Sequence, residues 1–187
     1  MSNKEKRAVR DPADTDRDLP LVRQFLAGDE TAFDELVSRY RSHVYNICLQ
    51  MLGNRADAED AAQEVFVALY EGLPRFQMRS KVATWVYRIT VNRCISHRRR
   101  RRPTCPIESD TPGQGERFEG TEKRRRVNQA LQQLASHYRA ALVLKYYRGL
   151  SYDEIAEALD WSPGKVKNYL HRARNKFRSI YDREFED

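Results

Sequence analysis

The sequence predicts an all-α protein made of two small helical domains joined by a flexible linker. Apolar residues recur at spacings of three and four through residues 19–97 and again through residues 121–187, as amphipathic helices require. The alternating apolar pattern of β-strands and the turn signals of hairpins are essentially absent. Residues 103–120 contain three prolines and three glycines but few large apolar residues, which is typical of a linker.

This pattern divides the chain into four segments. Residues 1–18 lack helical periodicity and contain Pro12, so we expect a disordered tail. The first helical domain then covers residues 19–102, the linker residues 103–120, and the second helical domain residues 121–187.

The composition excludes several classes of protein. The 187 residues carry a formal net charge of +7 and have no apolar run long enough for a membrane span. The N-terminus has no apolar stretch of the kind found in secretory signals, so we expect a cytoplasmic protein without membrane insertion. Cys48, Cys94 and Cys105 are too far apart in sequence for a Cys-x-x-Cys motif, which argues against a disulfide scaffold or a zinc site.

The charge is concentrated in patches of opposite sign. Residues 98–126 hold ten basic and five acidic side chains, and residues 161–181 hold six basic side chains and no acid. Residues 56–74 show the reverse, with five acidic side chains and no lysine or arginine. A basic surplus suggests a polyanionic partner such as nucleic acid. A simple nucleic-acid coat would not need the acidic segment.

Three helices are expected in the first domain after residue 29. Asp29 or Thr31 can cap the first, the second begins near Arg55 and ends before Pro74, and the third begins near Val82 and runs into five arginines. The second helix turns alanines and large apolar residues to one side and acidic residues to the other. That acidic face is either a docking surface for a basic protein or an ordinary solvated face, and periodicity does not decide between them.

The third of these helices mixes aromatic and basic residues. Aromatic rings among cations suit single-stranded nucleic acid, where bases stack and phosphates pair with cations. For Trp85 we favour a place in the helical core, and for Asn92 and the arginines a contact with nucleic acid. Cys94 and His97 could begin a metal site, but no second pair of ligands is near them in the sequence.

The second domain contains a helix-turn-helix pattern. Ser151 and Glu154 form a capping box, and Ser162 followed by Pro163 starts a second helix after a short turn. At about 100° per residue, the apolar residues of that second helix fall within one sector. The opposite side carries hydrogen-bonding and cationic residues without an acid, as a base-reading helix needs. A solvated face on a packed helix is the alternative.

Three segments in this order resemble bacterial sigma factors of the extracytoplasmic-function group of the sigma-70 family. They are DAEDAAQEVFVALYEGLPRF (57–76), TWVYRITVNRCISHRRRR (84–101) and LSYDEIAEALDWSPGKVKNYLHRARNKFR (150–178). The resemblance implies conserved region 2 in the first domain and region 4 in the second. It implies core RNA polymerase as a partner, through the β′ clamp helices and the β flap, together with promoter DNA and a separate anti-sigma factor.

The resemblance also implies roles for individual residues. Four would dock on polymerase: Asp60, Gln63, Glu64 and Phe66. Four would serve the −10 element and its melting: Lys81, Arg88, Asn92 and Arg93. Five would read the −35 element: Lys165, Lys167, Asn168, His171 and Arg172. No enzymatic activity, cofactor or metal is implied.

Two departures from the family pattern lie beside the expected −35 reading surface. Gly164-Lys165-Val166 stands where Gly-Thr-Val is frequent, and Asp160-Trp161 occupies a turn that commonly holds a glycine or small residue. We therefore expect an unusual −35 sequence.

Three other functions remain open on the sequence. A stand-alone helix-turn-helix regulator would dimerise and read a palindrome, but it leaves the acidic helix unexplained. A helical RNA-binding protein would use the arginine runs with little sequence specificity. A Mg²⁺-dependent nucleic-acid enzyme would need the carboxylates of one helix to converge, although they point around it: Asp57, Glu59, Asp60 and Glu64.

Overall fold

The computed structural model describes residues 16–101 and 122–185, and both domains are built of helices joined by short turns and loops. The first domain contains α1 (Leu19–Leu26), α2 (Thr31–Leu52), α3 (Arg55–Gly72) and α4 (Val82–Arg101). The second contains α5 (Glu122–Gln132), α6 (Ser136–Leu142), α7 (Tyr152–Leu159) and α8 (Pro163–Phe185). Within the described ranges no residue lies in a β-strand, so the all-α prediction is confirmed. The expected linker lies outside these ranges, as do residues 1–15 of the expected tail.

Short polar signals fix the helix ends in the first domain. The Asp29 carboxylate accepts hydrogen bonds from the Thr31 backbone N–H at 3.0 Å and from its hydroxyl at 2.6 Å, at the start of α2. Gly53 ends α2 with a φ of 86°, a left-handed conformation that favours glycine. Asn54 then caps α3 by accepting from the Asp57 backbone N–H at 2.8 Å. The predicted starts of α3 and α4 are confirmed.

The last residues of the expected tail make defined contacts with the first domain. The Asp16 carboxylate accepts a hydrogen bond from the Val82 backbone N–H, so it caps α4 from a distant part of the chain. The Asp18 carboxylate accepts from the buried Tyr40 hydroxyl and from Arg39. Residues 16–18 therefore pack on the first domain, because the Asp16 and Asp18 carboxylates satisfy groups that sequence periodicity does not reveal.

The second domain is built around α8. Its helix packs against α5, α6 and α7, and a π-helical turn, Val143–Tyr147, follows α6. Val166, Leu170 and Ala173 are buried on the inner side of α8. The apolar sector predicted for this helix therefore faces the core.

The two domains pack against each other. Helix α7 lies on α4, while α5, α6 and the π-helical turn contact α2. The buried apolar residues of both domains belong to one continuous core cluster. The C-terminal end of α2 meets the second domain through polar bonds, since Arg139 donates to the Met51 carbonyl and Gln132 to the Gln50 carbonyl.

Candidate nucleic-acid and protein interfaces

The acidic face of α3 is largely open to solvent. Asp60 and Gln63 are exposed, and so is Val67 with 58% of its surface accessible. Phe66 is half-buried and packs against the core, so only part of its ring can meet a partner. Two of the four predicted docking residues are thus freely presented.

Glu64, the remaining docking candidate, pairs with the arginine run. Its carboxylate accepts two hydrogen bonds from one terminal nitrogen of Arg100, at 2.8 and 3.0 Å. Exposed pairs of this kind contribute only about 0–1 kcal/mol. A basic partner can therefore replace Arg100 at little cost in free energy. The pair is one contact that the basic run at residues 98–102 makes with the acidic face of α3.

Helix α4 presents a polar side and buries its aromatic residues. Arg88 and Asn92 are exposed and Arg93 is half-buried. Trp85 is buried against Phe76, with ring centroids 4.8 Å apart, which confirms the core interpretation of that tryptophan. The structure therefore leaves arginine and asparagine, rather than the indole, available on the −10 candidate surface.

The cysteine and histidine of α4 contact different partners. The Cys94 sulfur lies 3.6 Å from the Cys48 sulfur in the core, and both thiols are free. His97 lies instead 3.3 Å from the Asp57 carboxylate. No group of three His, Cys, Asp or Glu side chains suited to a metal occurs in the described ranges.

Lys81 precedes α4 and makes an ion pair with the second domain. Its ammonium lies 2.8 Å from a carboxylate oxygen of Glu154 on α7. The hydrogen bond to Glu154 raises the pKa of Lys81, and the hydrogen bond from Lys81 lowers the pKa of Glu154. This −10 candidate is therefore occupied by an acidic residue in the structure, a pairing that sequence spacing could not reveal.

A second contact joins the two domains, from Arg148 between the π-helical turn and α7 to Tyr87 on α4. Arg148 donates to the Tyr87 hydroxyl at 2.9 Å, and its guanidinium lies 5.2 Å from the centroid of the Tyr87 ring. Charge repulsion from Arg148, after the larger effect of burial, lowers the pKa of nearby His43. The two domains are thus held together at the start of α4 by charged and aromatic contacts.

The helix-turn-helix of the second domain forms as the sequence predicts. The Ser151 hydroxyl accepts from the Glu154 backbone N–H at 3.2 Å, and Glu154 accepts from the Ser151 N–H at 2.9 Å. Asp160 ends α7 with a φ of 53°, and α8 begins at Pro163. The capping box and the turn set the angle at which α8 is presented.

The outer side of α8 carries the whole predicted −35 set. These side chains are exposed: Lys165, Lys167, Asn168, His171 and Arg172. They lie on the side opposite the buried residues, and no acid interrupts α8 before Asp182. A continuous cationic and hydrogen-bonding surface of this kind can contact both phosphates and base edges.

The second domain also contains an apolar groove between α5, the π-helical turn and α8. It has a volume of about 480 Å³. Tyr146 and Tyr147 on its wall are exposed by 59% and 44%. Arg174 and Arg178 line the groove as well, so it combines apolar surface with positive charge.

None of the helices in the described part of the chain is long and apolar enough to cross a membrane.

Comparison with known proteins matches both domains to one family. The Sigma-70 region 2 model matches residues 36–104, and the Sigma-70, region 4 model matches residues 124–177. The structure of CnrH in complex with the cytosolic domain of CnrY superimposes with a TM-score of 0.69 at 24% identity, over 89% of this chain and 98% of that one. The sigma factor RpoE from Bartonella quintana, in complex with the anti-sigma factor NepR, superimposes with a TM-score of 0.64 at 21% identity, over 81% of this chain and 98% of that one. These two structures share the fold.

Curated relatives match over nearly their full length. The ECF RNA polymerase sigma factor SigW of Bacillus subtilis is 32% identical over 84% of this chain and 92% of its own. The RNA polymerase sigma-H factor of Pseudomonas aeruginosa is 33% identical over 85% of this chain and 91% of its own. The ECF RNA polymerase sigma-E factor of Escherichia coli is 31% identical over 84% of this chain and 90% of its own. With both conserved regions present in order, the chain belongs to the sigma-70 family, in its extracytoplasmic-function group.

Proposed function

We propose that this protein binds core RNA polymerase, directs it to promoters by reading −35 and −10 elements, and assists melting of the DNA. The observation that carries the proposal is the combination of an exposed acidic face on α3 with an exposed face on α8 that carries no acid before Asp182. A protein partner suits the first surface and DNA suits the second. It acts in the cytoplasm, where the polymerase is, and performs no covalent chemistry itself.

Each domain supplies one part of promoter recognition. In the first, Asp60, Gln63 and Glu64 dock on the β′ clamp helices, with Phe66 adding apolar contact. The α4 surface then takes the −10 element: Lys81, Arg88, Asn92 and Arg93. Capture of an unstacked base there offsets the few kcal/mol that unstacking costs.

In the second domain, α8 lies in the major groove of the −35 element. The apolar groove beside it, with its exposed Tyr146 and Tyr147, receives the β flap. Two weak DNA-binding modules gain affinity when a large partner holds them at a fixed spacing, because the second contact becomes intramolecular. A separate anti-sigma factor would then act by blocking these partner surfaces.

The test is co-elution with bacterial core RNA polymerase on size exclusion. We expect the wild type to co-elute at moderate salt and Asp60→Lys to lose co-elution, because the substitution reverses charge on the docking face. Asp34→Lys is the matched control, since Asp34 is an exposed carboxylate on α2, outside that face. Circular dichroism should show unchanged helicity for both variants.

A stand-alone regulator would give a different result. If the wild type fails to co-elute but binds duplex DNA as a dimer, the proposal is wrong. If Asp60→Lys co-elutes like the wild type, polymerase binding does not depend on the acidic face.

A further inference from the structure

The turn between α7 and α8 holds an indole at a defined place. Asp160 takes the left-handed conformation that ends α7, and the Trp161 backbone N–H donates to the Ala156 carbonyl at 2.8 Å. This bond closes the helix end as a Schellman motif does. Trp161 is therefore fixed immediately before the helix that carries the −35 candidates.

The indole belongs to a small group of packed rings. Its centroid lies 4.7 Å from that of Tyr169, in the second turn of α8, with the planes inclined by 52°. Tyr169 is in turn backed by Tyr138 at 5.4 Å and by His137 at 5.3 Å. Because each ring has neighbours, the faces of Trp161 and Tyr169 are held in place.

The Lys165 ammonium lies over both of these rings. It is 4.8 Å from the centroid of Trp161 and 5.4 Å from that of Tyr169, within the range of cation–π attraction. Tryptophan is the strongest partner for such a contact. A long lysine side chain that would otherwise sample many rotamers is thereby held near one position.

The cation–π contact holds Lys165 at a position where the helix itself disfavours a positive charge. Lys165 lies in the first turn of α8, where its backbone N–H donates to Ser162 at 3.3 Å and where the helix dipole disfavours a cation. Among the residues that the structure describes, no carboxylate pairs with it. The rings therefore hold the ammonium without neutralising it, and its protons remain available to DNA.

We propose that Trp161 and Tyr169 are positioning residues that direct the Lys165 ammonium to a guanine edge in the −35 element. This rests on the proposed function, because it assumes that α8 enters the major groove. Residues near the N-terminus of a recognition helix face base edges, and lysine donates to guanine O6 and N7. Holding the side chain in advance lowers the conformational entropy lost on binding.

The experiment uses holoenzyme assembled from the full chain and core RNA polymerase. The probe is a duplex promoter library randomised over the −35 element, selected by binding and then sequenced. We expect the wild type to enrich guanine at one −35 position, and Lys165→Ala to lose that enrichment. Trp161→Leu should reduce the guanine preference by about twofold to fivefold, the value of an exposed cation–π contact.

Two further variants separate positioning from general packing. Trp161→Phe keeps an aromatic face and should retain most of the preference. Lys176→Ala removes an ammonium 5.5 Å from the Tyr138 ring, farther along α8, and should leave the base preference unchanged. Circular dichroism checks that each variant is folded. If Trp161→Leu does not fold, Tyr169→Leu replaces it, since it removes the second ring in contact with Lys165 and should also reduce the guanine preference.

The outcomes are distinct. An unchanged guanine preference in Trp161→Leu or in Lys165→Ala overturns the inference. A uniform loss of affinity across all sequences in these variants indicates a phosphate contact and also overturns it. A wild-type holoenzyme that enriches no −35 sequence contradicts the proposed function, and the inference falls with it.

Discussion

Arg139 is the largest side chain that is fully buried among the described residues, and it connects the two domains. Its guanidinium donates to the Leu131 carbonyl at 2.7 Å, to the Leu134 carbonyl at 2.8 Å and to the Met51 carbonyl. Met51 lies at the end of α2, where helix carbonyls have no partner within the helix and where a cation is favoured. One side chain thus satisfies helix ends in both domains.

We expect Arg139→Met to destabilise the protein by about 3 kcal/mol or more, because several buried carbonyls would lose their donors. Urea unfolding followed by circular dichroism measures this. Arg178→Met is the control, since Arg178 is exposed on α8, and we expect a change within about 0.5 kcal/mol. A similar, small effect for both variants would contradict the assigned role of Arg139.

Glu154 gives a second prediction at the residue scale. The hydrogen bond from Lys81 and those from Ser151 lower its pKa below the ordinary value of 4.5. A carboxylate with a lowered folded-state pKa stabilises the folded protein above its ordinary pKa, and that contribution is lost as the pH falls through the folded value.

We therefore expect the thermal midpoint of the wild type to exceed that of Glu154→Gln at pH 7, and the gap to close as the pH falls from 4.5 towards 3. Glutamine keeps the shape of the side chain and can still accept from Ser151, but it has no charge to titrate. Thermal unfolding across this pH range checks the prediction. A gap that stays constant with pH would show that the Lys81–Glu154 charge pair contributes nothing.

At the scale of elements, one side of α8 stabilises the fold and the other side is available to bind DNA. Val166, Leu170 and Ala173 are buried on one side, whereas Lys167 and Arg172 are exposed on the other. Substitutions on the outer side should therefore change DNA binding without changing the fold.

Replacing both Lys167 and Arg172 by alanine should weaken promoter binding by the holoenzyme and leave polymerase binding unchanged. If both side chains contact phosphates, the slope of log affinity against log salt should fall by about two, one for each contact. Promoter binding at several salt concentrations, with co-elution on core polymerase as the parallel measurement, checks this. Loss of polymerase binding in the variant would contradict the division of roles.

Helix α3 shows how two elements share one charged surface. Its exposed acids face solvent, but Glu64 is paired with Arg100 from the end of α4. Arg100, in the basic run at the end of α4, thus neutralises part of the acidic face. A docking partner has to displace this arginine, which is easily done because Arg100 is 57% exposed.

At the scale of the whole molecule, the packed arrangement of the domains covers part of the −10 candidate surface. Helix α7 lies on α4, Glu154 holds Lys81, and Arg148 holds Tyr87. Glu154 competes with any anion for the Lys81 ammonium in this arrangement. If Lys81 contacts promoter DNA as proposed, separation of the domains would remove this competitor.

We expect this separation to be measurable as a distance. Spin labels at the exposed Ser38 and Ser179, changed to cysteine, would report on the first and second domains. Cys105 is changed to serine to avoid labelling there. Combining Glu154→Gln with Arg148→Met should shift the distance distribution to longer values, and core polymerase should shift it further. Identical distance distributions in the wild type, the double variant and the complex with core polymerase would show that these contacts do not hold the domains together.

The sequence by itself determined the all-α fold class, the starts of several helices and the helix-turn-helix. Periodicity located α3, α4 and α8, and the capping box at Ser151 was predicted with both of its hydrogen bonds. These features depend on residues within one or two turns of each other, so short-range chemistry is enough to predict them. The motifs in their order also indicated the family that the comparisons confirm.

Only the tertiary structure decided which side chains are free and which are paired. Asp16 caps α4, Glu154 pairs with Lys81, and Arg139 reaches the end of α2 across long separations in the chain. The contact between Lys165 and Trp161 was also decided by the tertiary structure, because the orientation of the ring depends on the turn and on neighbouring helices. Sequence spacing fixes the face on which a residue lies, whereas its partner depends on how distant segments pack, which no local pattern encodes.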